Sequence, residues 1–113
     1  MEKLELSVQE AVDYLKINLD VHDDLEISYN RIFAEGEVLN VDFSEYFGKP
    51  GFKILLSLDA DTINPTIEID VDEIKDDLIE YTIYHKNGDS IYVTIRDKKW
   101  KTNSYDLIEN NFY

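Results

Sequence analysis

Alternation of apolar and polar residues with a period of two constrains the fold of this chain most. Segment 25–33 alternates in this way, and segments 52–58 and 67–71 repeat the pattern. This period is typical of a β-strand that buries one face and exposes the other. The sequence therefore predicts a sheet with one apolar face.

Two turn signals predict how the strands are connected. Glu35-Gly36 is expected to turn segment 25–33 back into a strand at 38–43. Asn87-Gly88 lies between two apolar runs and predicts a tight hairpin, because both turn residues tolerate positive φ. A two-residue loop makes residues 79–86 and 89–96 the paired strands. It places these residues opposite each other: Lys86 and Asp89, Tyr84 and Ile91, Thr82 and Val93.

The clearest helix signal lies near the N-terminus. Ser7 and Glu10 form a capping-box pattern, and apolar residues follow at helical spacing, so a helix is predicted from Val8 to about Leu19. A short C-terminal helix is predicted between Asn103 and Asn111. The fold class is α+β: the N-terminal helix packs on a five- to six-stranded, mostly antiparallel, strongly twisted sheet in meander order, which can curl into a partial barrel.

Length and composition favour one folded domain, residues 1–113, in the cytoplasm. The chain is 43% hydrophobic, well above the content of a disordered acidic tail. It contains no cysteine, which excludes disulfides and thiolate metal sites. No apolar stretch approaches the ~20 residues of a spanning helix, and residues 1–5 do not resemble a secretory signal. We expect no membrane partner.

The charge is strongly acidic and unevenly distributed. Asp and Glu number 25 against 11 Lys and Arg, which gives a net charge of -14. Residues 1–80 hold 21 of the acids and only 6 of the bases. Because nucleic acids and anionic membranes attract Lys and Arg, this composition argues against direct binding to either. The expected partner is a basic protein, with the chain itself a monomer or homodimer.

The acidic residues form two candidate partner-binding patches. In the first, Glu68, Asp70 and Asp72 are predicted to share one strand face, about 6.5 Å apart along the strand, like successive phosphates of a nucleic acid. The alternative is a solvated face that protects a sheet edge. The first patch comprises Glu68, Asp70, Asp72, Glu73, Asp76 and Asp77, and the second comprises Asp20, Asp23 and Asp24.

No pattern in the sequence predicts a catalytic site, a metal site or a cofactor. Segment 20–24 holds metal-ligating residue types, including His22, but they lie on one connector, whereas a site needs ligands from separate elements. His85 has no acidic neighbour close in sequence. A calcium loop starting at Asp59 lacks its glycine. Gly-rich phosphate loops and the Gly-x-Ser-x-Gly elbow are absent. A non-enzymatic protein is expected.

In size, charge and aromatic content the chain resembles the small DNA-mimic inhibitors of phage and mobile elements: anti-restriction, anti-CRISPR and DNA-glycosylase-inhibitor proteins. The resemblance implies inhibition of a basic, nucleic-acid-binding enzyme by DNA or RNA mimicry, with aromatic anchors aiding docking. Two alternatives stay open. One is an immunity or antitoxin-like protein that neutralises a cationic toxin, and the other is a structural assembly component of a phage or mobile element.

Overall fold

A computed structural model describes residues 1–58 and 65–96 of the chain. It confirms the α+β class, with two helices and a short 3₁₀ helix beside a seven-stranded mixed sheet. The elements in chain order are β1 (Glu2–Leu6), α1 (Val8–Asn18), β2 (Asp24–Tyr29), β3 (Ile32–Asp42), β4 (Lys53–Leu58), β5 (Thr66–Asp70), α2 (Val71–Ile74), the 3₁₀ helix (Lys75–Asp77), β6 (Leu78–Tyr84) and β7 (Ser90–Ile95).

The N-terminal helix begins where the sequence predicts. The Ser7 hydroxyl accepts a hydrogen bond from the Glu10 amide at 3.1 Å, and the Glu10 carboxylate accepts one from the Ser7 amide at 3.0 Å. This reciprocal capping box satisfies two amides that the first turn leaves without partners. It also lowers the pKa of Glu10, through the hydrogen bonds from Ser7. The helix buries Ala11, Val12 and Leu15.

The sheet differs from the prediction in strand number and order. Over the described residues its order is β1-β7-β6-β2-β3-β4-β5, so the sheet is open there, with edges at β1 and β5, rather than closed into a barrel. The seventh strand is β1, which pairs in parallel with β7, while all other pairs are antiparallel. In this strand Leu4 and Leu6 lie beside Val93 and Ile95 on the apolar face, and this packing favours the pairing. The meander holds only from β2 to β5, since the β6–β7 hairpin inserts between β1 and β2.

The first hairpin turns earlier than predicted. Asn30 adopts a positive φ of 56° and the chain reverses at Asn30-Arg31, not at Glu35-Gly36. Asparagine tolerates this conformation, because its short polar side chain costs little there. Gly36 instead lies inside β3, between Leu25 of β2 and Leu58 of β4. A Cβ atom at this position would collide with the carbonyl oxygen of Ser57.

The second hairpin has its turn at the predicted place but a different register. The strands end at Tyr84 and begin again at Ser90, and Gly88 has a φ of 98°. His85 and Asp89 close a three-residue loop, so Thr82 pairs with Tyr92 and Tyr81 with Val93. The predicted two-residue loop is therefore wrong: the loop has three residues, and the strand register is shifted by one position. The predicted register would place Thr82 beside Val93, and thus mix the polar and apolar faces.

The core lies between α1 and one face of the sheet. Its buried residues form one hydrophobic cluster. They come from α1, from all the strands from β2 to β7, from α2 and from connecting loops. Tyr81 of β6 is 1% exposed, and its hydroxyl donates a 2.6 Å hydrogen bond to the carbonyl oxygen of Ala11. Burial raises the pKa of this phenol well above its usual value. Tyr81 therefore ties the helix to the middle of the sheet.

The predicted C-terminal helix, residues 103–111, lies outside the described residues. Within the two described ranges, no helix has both the length and the apolar character needed to cross a bilayer.

We expect Gly36→Ala to destabilise the protein by about 1–3 kcal/mol, because the new methyl group meets rigid backbone of β4. Urea unfolding followed by circular dichroism measures the change. Asn40→Ala, at an exposed position of the same strand, is the control and should change stability by less than ~0.5 kcal/mol. Equal stability of the two variants would contradict the close approach of β3 and β4.

We expect Tyr81→Phe to cost about 1 kcal/mol, the usual net contribution of a buried hydrogen bond. Tyr29→Phe is the matched control. Tyr29 is also buried, but its hydroxyl has no hydrogen-bond partner among residues 1–58 and 65–96. If both variants lose the same stability, the Tyr81–Ala11 bond does not anchor the helix.

Candidate functional site

The first predicted acidic patch is divided between a strand and a helical turn. Glu68 and Asp70 lie on β5, as expected, but the strand ends there. The Asp70 carboxylate accepts a hydrogen bond from the Glu73 amide and caps α2, so the chain turns before Asp72. Asp72 therefore does not continue the strand row. It lies in α2 with Glu73, and Asp76 and Asp77 follow in the 3₁₀ helix.

The second predicted patch is also divided. Asp20 and Asp24 are exposed, whereas Asp23 is only 3% exposed and cannot form part of an outer surface. The Asp23 Oδ2 atom accepts hydrogen bonds from the Asp20 amide at 2.9 Å and from His85 Nδ1 at 2.8 Å. Asp23 is thus a buried structural carboxylate that connects the α1–β2 connector to the end of β6.

The sheet face opposite α1, which we call the open face, carries most of the strand carboxylates. Residues that pair across the ladders point to the same side, and these positions alternate with the buried ones. In the described ranges the open face has two lysines, Lys3 and Lys53. Its nine carboxylates are Glu5, Asp24, Glu26, Glu35, Glu37, Asp42, Glu68, Asp70 and Glu80.

Two pairs of acids oppose each other directly at the centre of the open face. Glu26 of β2 pairs with Glu35 of β3, and Asp24 pairs with Glu37 in the same ladder. Like charges in directly opposite positions destabilise a sheet. The Nδ1 atom of His22 lies 2.8 Å from Glu37 Oε2, within hydrogen-bond distance of one of these acids. The centre of the open face therefore concentrates negative charge at some cost in stability.

Two tyrosines of this face, Tyr92 and Tyr84, donate hydrogen bonds to its carboxylates, and both have a raised pKa. The Tyr92 hydroxyl donates a 2.6 Å hydrogen bond to Glu80, which, together with burial, raises the pKa of Tyr92 to about 12. Tyr84 donates to Glu26 at 3.2 Å, and its pKa is raised by burial and by the charges of Glu26 and Glu35. In both cases the nearby carboxylates oppose a further negative charge on the ring.

Exposed aromatic rings lie on the open face and in the loop that follows β3. Phe33 of β3 is 61% exposed on the open face. In the loop, Phe47 is 88% exposed and Tyr46 packs against it, with their ring centroids 4.5 Å apart. Aromatic side chains of this kind supply much of the binding energy in protein interfaces.

A second arrangement, the Asp–His cluster of Asp20, Asp23 and His85, lies at one end of the sheet. One ligand atom from each residue lies within 4.8 Å of those of the other two. The cluster borders a cleft of about 810 Å³, which is also lined by Asn18, Lys86 and other residues. A carboxylate accepts hydrogen bonds only, so with Asp23 ionised the Nδ1 atom of His85 donates the proton they share.

A family model described as an uncharacterized protein conserved in archaea, DUF2097, matches residues 2–94. The chain belongs to this family. The match includes all nine carboxylates of the open face and all three residues of the Asp–His cluster. No curated protein and no solved structure matches the chain.

The Asp–His cluster was missed by sequence reasoning because 62 positions separate Asp23 from His85. Asp23 directly precedes β2, and His85 directly follows β6. In an antiparallel pair, the start of one strand lies beside the end of the other, so the cluster follows once β2 and β6 are neighbours. The alternation pattern locates both strands but does not indicate that they pair.

We expect Glu80→Gln to lower the pKa of Tyr92 from about 12 towards 10, because the hydrogen bond to an ionised carboxylate is the main cause of the increase. The raised pKa also stabilises the native state below pH 10, and this contribution is lost as the pH rises from 10 to 12. Phenolate absorbance during an alkaline titration measures the change, with Tyr92→Phe variants in both backgrounds identifying the signal. An unchanged titration of Tyr92 would show that Glu80 does not determine its pKa.

Proposed function

We propose that this protein is a non-enzymatic, cytoplasmic binding protein whose open face docks a basic, nucleic-acid-binding protein and blocks its nucleic-acid site. The observation that carries the proposal is the pairing of acid with acid at the centre of the open face, Glu26 with Glu35 and Asp24 with Glu37. A partner rich in Lys and Arg would relieve this repulsion on binding. The partner would thus gain affinity from a feature that weakens the free protein.

The charge balance of the open face supports a cationic partner. Nine carboxylates face two lysines there, in residues 1–58 and 65–96. Complementary charge accelerates association and selects partners more than it adds affinity. A surface of this kind attracts nucleic-acid-binding proteins in general, so shape and aromatic contacts must select among them.

The spacing of the carboxylates supports mimicry of a nucleic-acid backbone. Glu35 and Glu37 lie two apart on β3, about 6.5 Å along the strand, and Asp24 and Glu26 repeat this on β2, roughly 4.8 Å away. A cationic groove that accommodates a row of phosphates can accept such a row of carboxylates. Phe33 lies beside the row and is a candidate anchor for the partner.

Neutralising the central acids tests the proposal. The protein is immobilised on a resin and used to capture proteins from a nuclease-treated archaeal lysate. The basic protein that it captures is then purified. We expect Glu26→Gln with Glu35→Gln to weaken its binding by roughly fivefold, from ~0.5 kcal/mol per charge, and to reduce the salt dependence. The matched control, Asp13→Asn with Glu45→Gln, removes two exposed charges from α1 and the loop after β3 and should bind like wild type.

The same experiment separates the alternatives. Mimicry requires that the captured protein release its nucleic acid in proportion to the chain added. A cationic toxin that binds no nucleic acid would instead support the immunity-like alternative. Equal losses of affinity in the two double variants would refute the role of the open face. A variant with Asp72→Asn, Glu73→Gln and Asp76→Asn measures whether the acids of the helical turns contribute as well.

A further inference from the structure

The cleft at the end of the sheet holds a buried carboxylate that the protein only partly satisfies. Asp23 is 3% exposed, and both hydrogen bonds that its carboxylate accepts are made by Oδ2. Its Oδ1 atom accepts no hydrogen bond from any residue in the described part of the chain. A buried carboxylate oxygen is costly without a donor or a cation. The Oδ1 atom therefore has room in the cleft for the donor or cation that a buried carboxylate oxygen requires.

The surroundings add charge and ligands rather than neutralising Asp23. Asp20 brings a second carboxylate close to the first, and no described Lys or Arg lies within ion-pair distance of either. Lys86 lines the cleft beyond that distance, and Glu2 and Asp89 line it as well. The cleft is thus acidic, with one imidazole at its wall.

We propose that Asp20, Asp23 and His85 bind one divalent transition-metal ion. The ligands come from two separate elements, the connector before β2 and the loop after β6, as a metal site requires. A nitrogen ligand favours Zn²⁺ or Fe²⁺ over Mg²⁺ and Ca²⁺, which prefer oxygen alone. The absence of cysteine argues against soft ions such as Cu(I).

The distances between the donors are compatible with an ion of this size. His85 Nδ1 and Asp23 Oδ2 are 2.8 Å apart, and all three donors lie within 4.8 Å of one another. On a tetrahedral ion with bonds of ~2.0–2.1 Å, ligand atoms lie roughly 3.4 Å apart. Binding would displace the proton that His85 Nδ1 donates to Asp23, and small rotations of exposed Asp20 and of His85 would then bring the donors to that spacing. Three protein ligands leave a fourth position for water or a small anion in the cleft.

The ion would stabilise the junction between α1 and the β6–β7 hairpin, because it binds only when β2 and β6 are paired. This inference does not depend on the proposed function, since Asp20, Asp23 and His85 are not among the carboxylates and ladder positions of the open face, although Asp23 directly precedes Asp24.

Binding of Zn²⁺ to chelator-treated protein tests the proposal. Calorimetry should give one ion per chain, and Zn²⁺ at about a hundredfold excess over Kd should raise the Tm by roughly 10 °C, with no comparable effect of Mg²⁺ or Ca²⁺. Co²⁺ should produce the visible absorption of a low-symmetry site. His85→Gln and Asp20→Asn should abolish these changes.

His22→Gln is the matched control, because His22 lies on the same connector but is exposed and paired with Glu37. It should bind Zn²⁺ like wild type. Circular dichroism of each metal-free variant establishes that it is folded. Should His85→Gln unfold, Asp20→Asn still tests the site, because Asp20 is exposed and its replacement leaves the core intact. Binding that survives His85→Gln in a folded protein, equal loss in His22→Gln, or no tight site in wild type would overturn the proposal.

Discussion

The packing of α1 against one face of the sheet is the interaction on which the rest of the structure depends. The helix buries Ala11, Val12 and Leu15, and the Tyr81 hydroxyl joins it to the middle of the sheet. Burial of apolar surface is the dominant favourable contribution to folding, so the strands turn their apolar residues to the side of the sheet on which α1 packs and to which α2 contributes Val71. This requirement determines the register of every ladder, including the hairpin at Asn87-Gly88.

Because α1 packs on one side of the sheet, the polar positions of the strands in residues 1–58 and 65–96 form one acidic face on the other side. That face can accumulate like charges, since water and salt screen them there, whereas the core tolerates almost none. Glu26 and Glu35 oppose each other at its centre. The two sides of the sheet thus differ physically: one provides the buried core, and the other concentrates negative charge.

The Asp–His cluster shows how topology creates a site that no local motif contains. Asp23 and His85 meet because β6 lies beside β2, and β6 lies there because its hairpin inserts between β1 and β2. A simple meander, with β6 beside β5, would place His85 at the far side of the sheet. The buried carboxylate and the cleft beside it are consequences of this one insertion.

The features that depend on neighbouring residues could be predicted from the sequence. The capping box defined the start of α1, and alternation defined the apolar face of β2, β4 and β5. The excess of acids was also evident from composition, but its arrangement was not. Contacts between distant segments were needed to establish the turn at Asn30, the place of Gly36 inside β3, the strand at Glu2–Leu6 and the end of the acidic row at Asp70. Strand order and register depend on which apolar surfaces bury each other, and this competition involves residues far apart in the chain.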